Sequence, residues 1–130
     1  MLPRVRDYMD TVVHTLHPSL SIHEAVTFLL DNGVTGAPVI DDQSQVVGII
    51  TAKDCLRLLA VGDGEGLPDG VVGDFMTRAV TSVTPQMNIY FVAGMFLRDV
   101  VRRFPVVEGG RLVGAITRFD ILRAIRDARK

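Results

Sequence analysis

Apolar residues recur along the chain with two alternating periods, and the alternation lays out its elements. Ile89, Val92, Ala93, Phe96, Leu97 and Val100 fall at helical spacing, the stripe of an amphipathic helix. Ile22, Ala25, Val26, Leu29 and Leu30 repeat that stripe earlier in the chain. After each comes a short β-rich run containing Pro38 or Pro105, a polar turn (residues 41–45 or 108–111), and a second β-rich run ending at Thr51 or Thr117. These runs predict two hairpins. A second helix follows each hairpin, with Leu56 and Leu59, or Ile121, Leu122 and Ile125, expected on its inward face. Extended segments at residues 12–16 and 80–83 precede the first helices, so each unit has the predicted order β-α-β-β-α.

The order repeats because the sequence does. Asp7-Tyr8-Met9 returns as Asp74-Phe75-Met76, and Ala37-Pro38-Val39-Ile40 as Phe104-Pro105-Val106-Val107, both at an offset of 67. Val47-Gly48-Ile49-Ile50-Thr51-Ala52-Lys53-Asp54-Cys55-Leu56-Arg57 returns as Val113-Gly114-Ala115-Ile116-Thr117-Arg118-Phe119-Asp120-Ile121-Leu122-Arg123 at an offset of 66, so one residue was lost in the intervening turn. The repeats are assigned to residues 4–61 and 73–128, joined by a Gly- and Asp-rich linker at 62–72. A unit of about 60 residues buries little core alone, which predicts one body of two units in pseudo-twofold packing, with a cleft between them for a ligand.

Composition narrows the class. The chain has 130 residues, 48% hydrophobic and 22% charged, which excludes a disordered or collagen-like chain. The lone Cys55 has no intramolecular partner and aligns with the apolar Ile121, so it reads as a small core residue of a cytoplasmic protein. The first ten residues hold Arg4, Arg6 and Asp7 and form no apolar signal core; the uncharged stretch 79–97 is interrupted by polar residues, so no membrane span is expected.

Familiar reaction motifs are missing. There is no Gly-x-Ser-x-Gly elbow, P-loop or Gly-x-Gly-x-x-Gly fingerprint. His23-Glu24 begins like a zincin helix, but Thr27 stands where the second histidine is needed. His14 and His17 have no further ligand nearby, and the acids of the linker do not follow the EF-hand spacing. No catalytic residue, metal or catalytic cofactor is assigned, and the chain is read as no enzyme.

What stands out is Thr51-x-x-Asp54 and its copy Thr117-x-x-Asp120, each where a strand gives way to a helix. One reading is a helix cap, the Thr hydroxyl accepting from a first-turn amide and the acid complementing the positive helix end. The other has the carboxylate accepting from two ribose hydroxyls while the Thr hydroxyl and helix amides face a phosphate. The two readings are compatible.

With these two blocks, the Ala-Pro-Val-Ile and Phe-Pro-Val-Val strands before them and the Met76-Thr77-Arg78 that opens the second unit, the chain resembles a tandem pair of CBS domains, also called a Bateman module. The resemblance spans Arg4 to about Arg126. It implies an α/β (α+β) fold with small sheets covered by helices, and a regulatory module that binds AMP, ADP, ATP or S-adenosylmethionine in clefts between the repeats. It also implies that modules pair into a flat disc. Carried over by position, Asp54 and Asp120 would hold ribose, with Thr51 and Thr117 beside ribose or phosphate. Adenine would rest on Ala37 and Pro38, or Phe104 and Pro105, and on Thr81 and Val83 in the second unit. Arg102 and Arg103 would meet phosphate; their first-repeat counterparts are Thr35 and Gly36, and Thr81 is matched by His14.

Charge agrees with this asymmetry. Residues 1–66 carry 4 basic and 9 acidic side chains, a net of −5, and residues 67–130 carry 10 and 6, a net of +4. Arginine forks beside an apolar cleft suit a nucleotide, so the second pocket is the expected site. The terminal run Arg118, Arg123, Arg126, Arg129 and Lys130 reads instead as a solvated face.

Tyr90, Phe91 and Met95 lie outside the stripe of their helix, where the first repeat has His23, Glu24 and Phe28. They are assigned to a homodimer contact. The leading expectation is thus a sensor reporting to a separately encoded protein. A ligand-free interaction module is the alternative, and nucleic-acid binding is disfavoured by the near-neutral charge.

Overall fold

The computed structural model describes residues 2–61 and 66–128. Residues 62–65 of the expected linker, and Arg129 and Lys130 of the terminal basic run, lie outside the described residues. The chain forms two compact units, one contiguous in sequence and one assembled from two stretches. One comprises His14–Val80; the other joins Met1–Val13 to Thr81–Lys130. They are called here the first-repeat and second-repeat units.

In the first-repeat unit, α1 (Ile22–Asn32) starts where the Ser21 hydroxyl accepts from Glu24 N and stops at Gly33, whose φ of 61° is the left-handed conformation a helix end favours. Strands β1 (Gly36–Ile40) and β2 (Val46–Thr51) form an antiparallel hairpin. Helix α2 (Ala52–Val61) follows directly, and α3 (Val72–Phe75) ends the described elements of this unit. In the second-repeat unit a 3-10 turn (Val5–Asp7) precedes α4 (Ile89–Arg98), the hairpin of β3 (Arg103–Glu108) and β4 (Arg111–Thr117), and α5 (Arg118–Asp127). The turn lost its residue here: Val107 pairs with Leu112, Ile40 with Val46, and Gly109 and Gly110 take positive φ to close the tighter connection.

This is a mixed α+β fold with two small antiparallel sheets. The extended segments expected before the first helices contribute one bridge each: Leu16 pairs with Val39 and Val83 with Val106, both parallel. The opposite hairpin edge is closed by the segment that begins the other repeat. Thr77 pairs with Ile49, and Asp10 pairs with Ala115. Thus the Asp-Phe-Met segment folds onto the repeat before it, while Asp-Tyr-Met folds onto the distant second repeat.

The repeated Val-Gly makes that closure possible. A Cβ on Gly114 would sit 2.7 Å from the Asp10 carbonyl oxygen, and one on Gly48 would sit 2.5 Å from Met76 Sδ and 2.9 Å from the Thr77 carbonyl oxygen. Only glycine leaves room for backbone and methionine to cross the strand.

Each unit has its own core. Ile22, Ala25, Leu29, Val39 and Ile50 centre one; Val5, Val83, Val92, Phe96, Phe104 and Ile116 centre the other. The inward faces of α2 and α5 differ from the expectation. Leu56, Leu59, Leu122 and Ile125 are each more than half exposed, and the buried positions are Asp54 on α2 and Asp120, Ile121 and Ala124 on α5, with Leu58 packed on the first-repeat core. The acid fixes the phase of the helix. Once it faces its own N-cap, residues one and four positions on turn inward and those two and five positions on turn out. The stripe of α4 is likewise rotated: Met95 is buried beside Val92 and Phe96, whereas Leu97 is exposed. Val100 lies past the end of the helix, which turns extended at Asp99. Leu30 of α1 is also exposed.

Candidate functional site

The Thr-x-x-Asp pairs build the same local structure in both units. At the start of α5, Thr117 N and Oγ1 both donate to Asp120 Oδ2, at 2.8 and 3.0 Å, and Thr117 Oγ1 accepts from Asp120 N at 3.3 Å. This is a reciprocal capping box. At α2, Thr51 N and Oγ1 donate to Asp54 Oδ2, both at 3.0 Å, and Asp54 N donates back at 3.1 Å. Both carboxylates are buried, which such a box allows because one oxygen is fully hydrogen-bonded.

The units differ at the second oxygen. Asp54 Oδ1 accepts from Arg57 Nη1 and from Thr77 Oγ1, each at 3.2 Å. Asp120 Oδ1 accepts from Arg123 Nη2 alone, at 2.8 Å, among the described residues. A carboxylate offers about four acceptor positions. Asp54 has all four occupied, and Asp120 keeps one open. The reason lies in the segment that closes each sheet: Thr77 brings a hydroxyl, whereas Asp10, its counterpart, brings an acceptor that takes Val12 N.

Arg123 is held from several sides. The same Nη2 donates to the Tyr8 carbonyl at 3.0 Å, and the guanidinium lies 5.6 Å from the Tyr8 ring centroid. The hydrogen bond to Asp120 raises its pKa above the ordinary guanidinium value. The Tyr8 hydroxyl donates to Asp127 Oδ2 at 2.7 Å, and this bond holds the phenol above its ordinary range. Neither Tyr8 nor Arg123 was singled out from sequence as part of the site. Arg123 is matched by Arg57 in the repeat and Tyr8 by Phe75, but nothing in the sequence announces the contact between Tyr8 and Arg123, which bridges more than a hundred residues.

Beside the capping box lies a cavity of about 490 Å³ lined by Val100, Val101, Arg102, Arg103, Thr117, Arg118 and Phe119. It brings together three sequence-assigned residues, Arg102, Arg103 and Thr117, and adds Arg118 and Phe119. Arg102 and Arg118 are exposed cations, and the first turn of α5 adds the positive end of its dipole. Phe104 and Val83 sit in the core, Phe104 with its ring 4.5 Å from that of Phe96, so their side chains belong to packing. Pro105 is buried and Thr81 exposed.

In the first-repeat unit, Ala37 and Pro38 are buried on β1. Two cavities there, of about 440 and 470 Å³, are lined by α1 residues such as His23 and Phe28, and by Pro18, Gly73 and Met76, and not by Thr51 or Asp54. His14 packs edge-on against Phe28, while His17 bonds Ser19 Oγ at 2.7 Å and Asp42 Oδ1 at 2.9 Å. Among the described residues no group of His, Cys, Asp or Glu could hold a metal ion. Burial, then the charge of Asp54, push the Cys55 thiol above its ordinary pKa. Among the described residues no helix is long and apolar enough to cross a membrane. Of the residues assigned to a dimer contact, Tyr90 and Phe91 are exposed, but Met95 is in the core.

Comparison with known proteins converges on one family. The CBS domain profile matches residues 5–61 and again 72–127. The Methanocaldococcus jannaschii protein MJ1225 is 37% identical over 121 residues, which is 93% of this chain; the chain spans 42% of that protein's length. The structure of Arabidopsis thaliana CBSX2 in complex with AMP superposes with a TM-score of 0.83 at 33% identity, covering 98% of this chain and 99% of that one. The CBS domain pair of MJ0100, in complex with 5′-methylthioadenosine and S-adenosyl-L-methionine, superposes with a TM-score of 0.79 at 27% identity, covering all of both chains.

Proposed function

Because this chain belongs to the CBS domain family, we propose that it is a regulatory module that binds an adenosine-containing ligand at the second-repeat unit, as a sensor and not as a catalyst. The observation that carries this reading is the placement of Arg102, Arg103 and Thr117 around one cavity at the N-terminus of α5, next to a carboxylate with an acceptor position open. An arginine pair and a helix start suit phosphate. Asp120 suits a ribose hydroxyl, and Phe119, exposed at the cavity, suits a base. CBSX2 with AMP and the MJ0100 pair with adenosyl ligands support the ligand class.

The first-repeat unit has Thr35 and Gly36 at the arginine positions, and its Asp54 is saturated. One ligand per chain follows from that difference. The ligand state is passed on to a regulated partner, with AMP, ADP, ATP and S-adenosylmethionine as the candidate inputs. Calorimetric titration with these four molecules, after ruling out a copurified ligand, tests the reading: saturable binding of at least one supports it, and binding of none overturns it. A ligand-free interaction module is the second reading, favoured by the exposed Tyr90 and Phe91 on α4.

A further inference from the structure

The segment that closes the second-repeat sheet is tied to the carboxylate of the candidate site. Val5 N donates to Met87 O, Arg6 N to Pro85 O and Asp10 N to Ala115 O, at 2.9, 3.0 and 2.9 Å, so residues 5–10 are docked through backbone bonds at both ends. Between those ends Tyr8 receives Arg123 on its carbonyl and its ring, and reaches Asp127 with its hydroxyl. The same Arg123 Nη2 also donates to Asp120 Oδ1. One guanidinium nitrogen therefore bridges the site and the segment.

The first-repeat unit lacks this arrangement. Phe75 stands in place of Tyr8 and has no hydroxyl, Val61 stands in place of Asp127, and the hydrogen bond found for Arg57 among the described residues is the 3.2 Å bond to Asp54. The bridge is present in the unit whose Asp120 keeps an acceptor position open and absent from the one whose Asp54 has all four occupied.

We infer that Arg123 is a positioning residue that couples the Asp120 carboxylate to the segment at residues 5–10, so that engagement of Asp120 is reported at that segment. The inference rests on the functional reading above for the identity of what engages Asp120. A ribose diol brings two donors, and Oδ1 has one open position. The second hydroxyl competes with Arg123, whose nitrogen is then held by Tyr8 alone. Linkage requires the reverse as well: a change in segment docking alters ligand affinity by the same factor.

The test is a double-mutant cycle read by amide hydrogen exchange. In the ligand-free full chain, Asp120→Asn accelerates exchange at the Val5, Arg6 and Asp10 amides by roughly fivefold or more relative to the Thr77 and Ile49 amides of the first-repeat unit. In an Arg123→Gln background the same substitution adds nothing at those amides. Equal acceleration with and without Arg123 overturns the coupling. Tyr8→Phe, which keeps the ring and the carbonyl, preserves the coupling between Asp120 and the segment; its loss would show that the Asp127 bond carries it instead. With AMP added, exchange at the three amides changes in wild type and in Arg123→Lys but not in Arg123→Gln, and a change that survives in Arg123→Gln overturns the inference. If wild type binds none of the adenosyl ligands, the functional reading fails, and the ligand-free cycle alone decides the coupling.

Discussion

Thr77 donates its hydroxyl to Asp54 Oδ1 across 3.2 Å, and so a residue from the opening of the second repeat completes the hydrogen bonding of the first repeat's acid. The same oxygen also accepts from Arg57 Nη1. Removing the hydroxyl with Thr77→Val is expected to lower stability by about 1 kcal/mol, the net value of such a bond. Chemical denaturation measures it. No loss would mean that water replaces the hydroxyl without cost.

The capping boxes make a second prediction. Thr117→Ala removes an acceptor for Asp120 N and a donor to its carboxylate, and Thr51→Ala does the same for α2. Each substitution is expected to cost about 1 kcal/mol, with Ser restoring most of it. A fall in melting temperature for Ala and recovery for Ser would establish the cap; equal losses for Ala and Ser would point to the methyl group.

Two glycines of similar appearance should respond in opposite senses. Gly114→Ala forces a Cβ against the Asp10 carbonyl oxygen at 2.7 Å and is expected to destabilise by about 1–3 kcal/mol. Gly94, inside α4, has nothing within 4 Å, and Gly94→Ala is expected to stabilise by about 0.5–1 kcal/mol. Parallel denaturation curves test the pair, and a neutral Gly114→Ala would contradict the crossing of the N-terminal segment over β4.

The Tyr8 phenol provides a pH prediction. Its folded pKa lies above its unfolded value because the hydroxyl donates to Asp127. The stabilisation is therefore fully present below the unfolded phenol value and is lost as pH rises through the folded one. In a Tyr90→Phe background, the ultraviolet phenolate titration should have a midpoint above the ordinary phenol range, and Asp127→Asn should lower it. An unchanged midpoint would remove Asp127 as the cause.

Tyr90 and Phe91 are expected to meet a second copy of the chain, since they expose 49% and 60% of their surface on a helix whose opposite face is fully buried. Phe91→Glu should shift the native mass from dimer to monomer. A dimer that persists, or a wild-type monomer, excludes that contact.

The Thr51–Asp54 and Thr117–Asp120 pairs, the hairpins and the shortened turn were legible in the sequence because each depends on neighbours a few residues apart. The direction of the helices after the hairpins was not. Leu56 and Leu122 look like core residues by hydropathy, but the cap rotates them outward. The exchange of the Asp-Tyr-Met and Asp-Phe-Met segments was also hidden: periodicity identifies a strand-like segment but not its partner, and Asp10 pairs with a residue more than a hundred positions away. Arg102 and Arg103 stood out through the family resemblance and the lack of basic counterparts at Thr35 and Gly36, whereas the repeat aligned Tyr8 with Phe75 without revealing its contact with Arg123.

The central claim, that the second-repeat unit holds the ligand, is tested most directly by calorimetric titration of AMP into wild type, Asp54→Asn, Asp120→Asn and Arg103→Ala. The account predicts one site per chain in wild type and in Asp54→Asn. It predicts at least about tenfold weaker binding in Asp120→Asn and Arg103→Ala, since each removes a charge-assisted hydrogen bond to the ligand. Binding that survives Asp120→Asn and Arg103→Ala but is lost in Asp54→Asn would contradict it.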